Sequence, residues 1–294
     1  MNQSVITDNL KKHVKVLADD IGSRSLAEPA SLSRTQTYIE EQFVSLGYSV
    51  SVQPFELYGV ETANIIAYLE RFNPEHPIHL LGAHYDTVTG TPGADDNASA
   101  VAVLLECARL VAEDGTKGTN TLFTAFSAEE PPAFGTSLMG SRVFVRSLKE
   151  SGWNIDGALV LEMVGYYTDK PKSQKIPFFL KLKGFSTTGN FISIIGSGKS
   201  KKLVQEIVSS VERAGKGLPV ENLVVPGSGY LIPETRLSDN ASFWDAGIPA
   251  VMITDTSFFR NPHYHMRSDT SDTLNYESME KLTLALTDYF VSRV

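Results

Sequence analysis

One cysteine, Cys107, stands in the whole 294-residue chain. An internal disulfide is therefore excluded, and because Cys107 lies in the apolar run ASAVAVLLECARLV it reads as a small buried side chain rather than a reactive thiol. No stretch is long and apolar enough to span a bilayer, and the amino-terminal segment MNQSVITDNLKKHVKVLADDIG lacks the apolar centre of a signal peptide. Cytoplasmic residence is the resulting expectation. Basic charge is also in deficit: 26 Lys and Arg face 34 Asp and Glu, a formal net charge of −8. That balance argues against nucleic acid or an anionic membrane as partner, since both select basic surfaces. Internal repeats, low-complexity tracts and Gly/Ser linkers are missing too, so residues 1–294 read as one domain.

What is present is a succession of short apolar segments alternating with helical patterns. Helical spacing runs over residues 5–19, over Leu32 to Leu46, from Asn97 onward, from about 138 to 148, over 200–213 and from Met279 to Val291. Strand patterns cover Tyr48 to Val52, Asn64 to Leu69, Ile78 to Leu81, Thr121 to Phe126, Ala158 to Leu161, Ile192 to Ile195 and Pro249 to Ile253. This alternation predicts an α/β fold with a mixed, mainly parallel central sheet covered by helices on both faces. Residues 223–238 carry no predicted element, and residues 166–190 form the longest irregular stretch. Lys170, Lys172, Lys175, Lys181 and Lys183 lie there among aromatic residues, so it reads as a solvated excursion or edge hairpin rather than a substrate lid.

Acids and histidines recur where these strands end. His84 follows Ile78 to Leu81, Asp96 opens the helix after it, Glu130 follows Thr121 to Phe126, Glu162 follows Ala158 to Leu161, and His265 lies in the loop after the last strand. Taken singly, each has an ordinary structural use: Asp95-Asp96-Asn97 as a helix cap, Glu129-Glu130 as solvated acids. Taken jointly they converge, because parallel strands deliver their carboxyl ends to one edge. Three carboxylates gathered there without a cation would repel one another and be costly to desolvate. Two divalent cations bridged by one carboxylate remove that cost. The mixed imidazole and carboxylate set suits zinc, with cobalt or manganese also compatible. Asp86, two residues past His84, is placed to take the far ring N–H of that imidazole, and equally to serve as a turn acid. Glu129 adjoins a ligand yet is surplus to the ligand set, so it is free to accept a proton from an attacking water and return one to a leaving amine.

The stretches GAHYDT, GADDNASAVAVLLE, FSAEE followed by MGSR, LEMVGY, SDNASFW and YHMRSDT, in this order, resemble the M28-family metallopeptidases, the co-catalytic zinc aminopeptidases, over most of the chain. The resemblance implies a zinc-exopeptidase-like fold, two Zn2+ and a peptide or small amide substrate. It also implies His84 and Glu162 on one zinc, Glu130 and His265 on the other, Asp96 bridging both, and Glu129 as general base. Tyr264 is similar in position to a tyrosine that in some members donates to the oxyanion, against aromatic packing as its plain use. Two positions depart from the family pattern: Glu162 stands where many members have Asp, and Asn240 stands where SDH is common. Asp239 and Asn240 then read as helix-capping residues in preference to pocket residues, and Arg236 as a surface ion pair in preference to a reader of a substrate carboxylate. Amino-terminal peptide hydrolysis is the favoured activity. The alternatives are a glutaminyl cyclase-like acyl transfer using one zinc, and a non-catalytic binding module on the same fold.

Overall fold

The computed structural model describes residues 3–115, 120–177, 180 and 184–292. At its centre runs β3, Ile78–His84, buried at every position. A strand apolar on both faces is what a sheet covered from both sides requires. Around it lie β1 (Ser49–Leu57), β2 (Val60–Tyr68), β4 (Thr121–Phe126), β5 (Ile155–Glu162), β6 (Ile192–Ser197), β7 (Val220–Val225) and β8 (Ala250–Thr254). They form one sheet of eight strands in the order β1-β2-β4-β3-β5-β8-β6-β7. The pairs β3 with β4, β3 with β5, β5 with β8 and β6 with β7 are parallel, whereas β1 with β2, β2 with β4 and β6 with β8 are antiparallel. The first two strands make a hairpin whose turn residues, Tyr58 and Gly59, both have positive φ (49° and 80°), as a tight two-residue turn demands.

Helices cover both faces. α1 (Gln3–Val14), α2 (Pro29–Ser45), α3 (Ala100–Asp114), α5 (Lys201–Ala214) and α7 (Tyr276–Val291) share one apolar core with inward residues such as Leu81, Phe123 and Leu159. On the opposite face α4 (Gly140–Ser151) contributes Phe144 and Leu148, and α6 (Asn240–Asp245) contributes Phe243 and Trp244. The i, i+4 spacing of Phe144 and Leu148 explains why α4 turns that stripe inward. The result is a single α/β domain with the mixed, mainly parallel sheet that the sequence pattern predicts.

Two sequence expectations are corrected. Residues 223–238 are not wholly irregular, because β7 occupies Val220–Val225 at the sheet edge. Its first half carries Glu221 and Asn222, and the three apolar residues that follow, Leu223 to Val225, are too short a run to mark it. Residues 166–190 are not a solvated excursion: their described part is tied down across the loop after β8. Tyr166 donates its amide to Asp255, Lys175 donates its amide to the Phe259 carbonyl, and the Gln174 side chain pairs with Thr256 and accepts from Arg260. Lys181 and Lys183 lie outside the described residues.

The chain leaves β3 through α3 on one face to reach β4 on one side, then returns through α4 on the other face to β5 on the other side. β3 is thus a topological switch point, and a crevice opens beyond its carboxyl end. Register places His84 beside Phe126 and Glu162 beside Thr254 along that edge.

Candidate metal centre

The side chains that follow these strand ends meet. The ring Nε2 of His84 stands 3.3 Å from Glu162 Oε2 and 3.5 Å from Asp96 Oδ1. Across the Asp96 carboxylate, His265 Nε2 stands 3.2 Å from Asp96 Oδ2 and 3.4 Å from Glu130 Oε1. Two donor triads, His84-Asp96-Glu162 and Asp96-Glu130-His265, therefore share one carboxylate that offers an oxygen to each. Donors about 2.0–2.2 Å from a tetrahedral cation stand roughly 3.3–3.6 Å from one another, close to the 3.2–3.5 Å between each histidine and its acids. The His84 Nε2 and Asp96 Oδ1 atoms are buried with no hydrogen-bond partner, an arrangement a cation would satisfy. Donor chemistry, spacing and orphaned atoms all fit a pair of zinc-like divalent ions. His265, whose side chain is 32% exposed, marks the open side of the site, for the other four ligand candidates are buried.

Each side chain is aimed by its surroundings. Asp95 and Asp96 are adjacent, yet they diverge: Asp95 accepts from the Gly165 amide, Ser99 and Asn261, and only Asp96 faces the two histidines. Asn97 clamps the turn to β5, accepting from the Met163 amide and donating to the Leu161 carbonyl. Glu162 accepts from Ser238 at 2.7 Å, which fixes the longer acid in place. His84 Nδ1 lies 3.2 Å from the Asp86 carbonyl oxygen and 3.5 Å from its Oδ1. The Asp86 carboxylate mainly braces the acid pair, accepting from the backbone amides of Glu129 and Glu130, each at 3.0 Å. Ala128, Met163 and His265 adopt positive φ (58°, 48° and 57°) although none is glycine. Strained backbone at three of the segments that present site residues is the kind of cost that a functional constellation imposes.

Glu129 belongs to neither triad. Its Oε2 stands 4.0 Å from His84 Nε2. Burial pushes its carboxyl well above the usual carboxylate range, with Glu130 and Glu162 adding to the rise and His84 opposing it. Burial and then the Asp96 charge lift Glu130 to about 7. For the histidines burial acts downward but loses: Glu162 and Glu129 hold His84 well above its ordinary value, and Asp96 and Glu130 bring His265 to about 10. Without a cation the site is thus a cluster that retains protons. The Tyr264 ring stacks on His265 at 3.7 Å between centroids, and burial holds its hydroxyl protonated.

Several residues that shape the centre went unread in the sequence. Arg24 is fully buried and donates to the carbonyls of Tyr85, Pro92 and Gly93, pinning the loop that links His84 to Asp96. Asp269 accepts the amides of Asp95 at 2.8 Å and Asp96 at 3.1 Å. It sits in the YHMRSDT stretch, where the motif alone assigned it no task. Asp239 does not cap α6 as expected: its carboxylate makes no cap hydrogen bond, is buried, and is raised to about 7 by burial against the attraction of His84. Asn240 instead donates to the Thr235 carbonyl, and Arg236 pairs with Asp245 at 2.7 Å. An Asp269→Asn change leaves one of the two Asp95 and Asp96 amides facing a donor. Zinc affinity, measured by competition with a chromophoric chelator, should fall about ten- to a hundredfold, and unchanged affinity would remove Asp269 from this role.

Among proteins of known sequence, the chain is 37% identical over 284 residues to the uncharacterised Escherichia coli K12 protein YfbL, covering 94% of this chain and 84% of that one. It is 29% identical over 229 residues to a probable leucine aminopeptidase 1 of Trichophyton verrucosum, covering 74% of this chain. The chain spans about half (54%) of that fungal protein's length. Among solved structures, the Legionella pneumophila LapA aminopeptidase shares the fold with a TM-score of 0.76 at 21% identity, over 99% of this chain and 74% of that one. A glutaminyl cyclase from Fimbriiglobus ruber shares it as well, with a TM-score of 0.68 at 21% identity over 97% and 94% of the two chains. The model of peptidase family M28 matches residues 64–290, a span that takes in both donor triads and Glu129. The chain belongs to peptidase family M28.

Proposed function

We propose that this protein is a metal-dependent aminopeptidase that removes amino-terminal residues from peptides, with Glu129 as its general base. The observation that carries this reading is the pair of donor triads joined at Asp96, with buried Glu129 beside His84 and outside both. His84, Asp96 and Glu162 would hold one divalent cation, and Asp96, Glu130 and His265 the other. Bound there, two such ions lower the pKa of an attacking water and polarise the scissile carbonyl. Glu129 then takes the proton of that water and delivers it to the leaving amine, since it stands beside His84 yet belongs to neither triad. Tyr264, protonated and stacked against His265, supplies a hydrogen-bond donor to the developing oxyanion. The acid-rich crevice attracts the substrate's free α-amino group, which favours exopeptidase over internal cleavage.

A glutaminyl cyclase needs a single zinc, so the second triad speaks for hydrolysis. Metal analysis and two substrates separate the readings. Zinc-loaded protein is expected to hold about two ions per chain, to release nitroaniline from aminoacyl p-nitroanilides, and to release no ammonia from a peptide beginning with Gln. One ion per chain together with ammonia release would replace hydrolysis by cyclisation.

A further inference from the structure

Beside the candidate metal centre a cavity of about 120 Å³ opens, bordered by Glu162 and Tyr264 and running inward beneath the described part of the strap formed by residues 166–190. A space of this size holds a single large side chain, for an engineered cavity of roughly 150 Å³ accepts a benzene. Its walls are apolar: Leu180 and Phe185 from the strap, Ile195 from β6, Leu223 from β7 and Met252 from β8. Such walls alone would suit any aliphatic residue.

One group in them does not fit an aliphatic occupant. Glu234, half-buried in the turn Pro233–Arg236, lines the same cavity, and its Oε2 is buried with no hydrogen-bond partner among the described residues. Three of the cavity's hydroxyl side chains are already engaged. Thr235 donates to the Ile232 carbonyl, Thr256 pairs with Gln174, and Ser186 donates to the Thr188 carbonyl. Among the described residues, nearby cations are also spoken for or turned away: Arg236 is bound to Asp245 and the Ser228 carbonyl, and Lys175, at the cavity border, is exposed and makes no ion pair with Glu234. A buried carboxylate oxygen left unpaired is costly, and an aliphatic occupant would offer it nothing in exchange. An occupant with an apolar stem and a cationic end would lay methylenes along the walls and bring the missing charge to Glu234.

We infer that this cavity selects amino-terminal residues with long aliphatic stems and cationic ends, lysine and arginine, and that Glu234 is the residue that selects them. The inference rests on the aminopeptidase reading, for it identifies the cavity as the place where the side chain of the cleaved residue lies. Glu234 is a specificity residue and takes no part in bond cleavage. A site built to bond a polar end discriminates sharply against the analogue that lacks it.

The test compares lysine with norleucine, which has the same stem and no ammonium. For zinc-loaded wild-type protein, kcat/KM for the lysyl p-nitroanilide should exceed that for the norleucyl p-nitroanilide about ten- to a hundredfold. In Glu234→Gln the ratio should collapse to within about threefold of unity. Because the Glu234 side chain holds no hydrogen bond among the described residues, the isosteric Gln removes the charge without breaking one. Calorimetric binding of free L-lysine and L-norleucine to the two zinc-loaded proteins supplies a readout that needs no turnover. A wild-type preference for norleucine, or a lysine preference that survives in Glu234→Gln, overturns the inference. Should no anilide be cleaved, the aminopeptidase reading fails by itself. The binding pair then still decides the cavity: tighter lysine binding lost in Glu234→Gln upholds the selection, and equal binding of the two amino acids ends it.

Discussion

Replacing Glu129 by Gln is expected to lower kcat for aminoacyl p-nitroanilides about a thousandfold, roughly 4 kcal/mol of transition-state stabilisation, while two metal ions stay bound. The amide keeps the shape and the hydrogen-bonding reach of the acid but cannot take a proton from water. Metal content should survive because Glu129 lies outside both triads. Local backbone should survive because the bond that anchors it, from the Glu129 amide to Asp86, uses no side-chain atom of residue 129. Substrate affinity should change little, which places the loss in kcat rather than KM. Steady-state kinetics combined with metal analysis checks both halves. A variant with full metal content that turns over within threefold of the parent would move the base elsewhere, and buried Asp239 would be the next acid to test.

The part of the centre that was legible in the sequence is the part delivered by strands. Short, largely apolar runs mark β3, β4 and β5, so the polar residues at or just past their ends, His84, Glu130 and Glu162, fall on one edge by topology. Asp96 needs only the helix that follows it. What was not legible depends on contacts between residues distant in sequence. Arg24 sits in the polar stretch GSRSLAEP and looks like a surface cation, yet it is buried by carbonyls from residues 85 to 93. Asp269 reaches backbone amides more than 170 positions away. The strap over the cavity has no hydrophobic period to announce it, because hydrogen bonds to Thr256, Phe259 and Arg260 hold its described part instead. The positive φ values of Ala128 and Met163 likewise leave no trace in residue type. Sequence pattern thus locates the donors, and tertiary contacts decide how they are aimed.

Removing the metals should make stability depend on pH in a direction set by the same cluster. In the metal-free protein Glu130 and Asp269 are each raised to about 7, chiefly by burial, and Glu129 is raised as well. An unfolded carboxyl titrates near ~4, so between about pH 4 and 7 the folded chain binds more protons than the unfolded one. Stability therefore falls as pH rises through that window. His265, held at about 10, acts in the same sense at higher pH: its contribution is complete below its unfolded value of about 6.5 and is lost as pH approaches 10. Divalent ions take the place of those protons, so they compete best where protons are scarce. Zinc at a thousandfold excess over its Kd adds about 4 kcal/mol per site. For a domain of this size, at ~2 °C per kcal/mol, two sites separate the melting curves by roughly 15 °C. The expected result is a Tm for chelator-treated protein that declines steadily from pH 5 to pH 9, and a gap to the zinc-loaded protein that widens over the same range. Differential scanning calorimetry at five pH values measures it. A chelated protein whose Tm rises between pH 5 and pH 8 would mean that these acids do not share one buried site, and the two-cation centre would lose its physical basis.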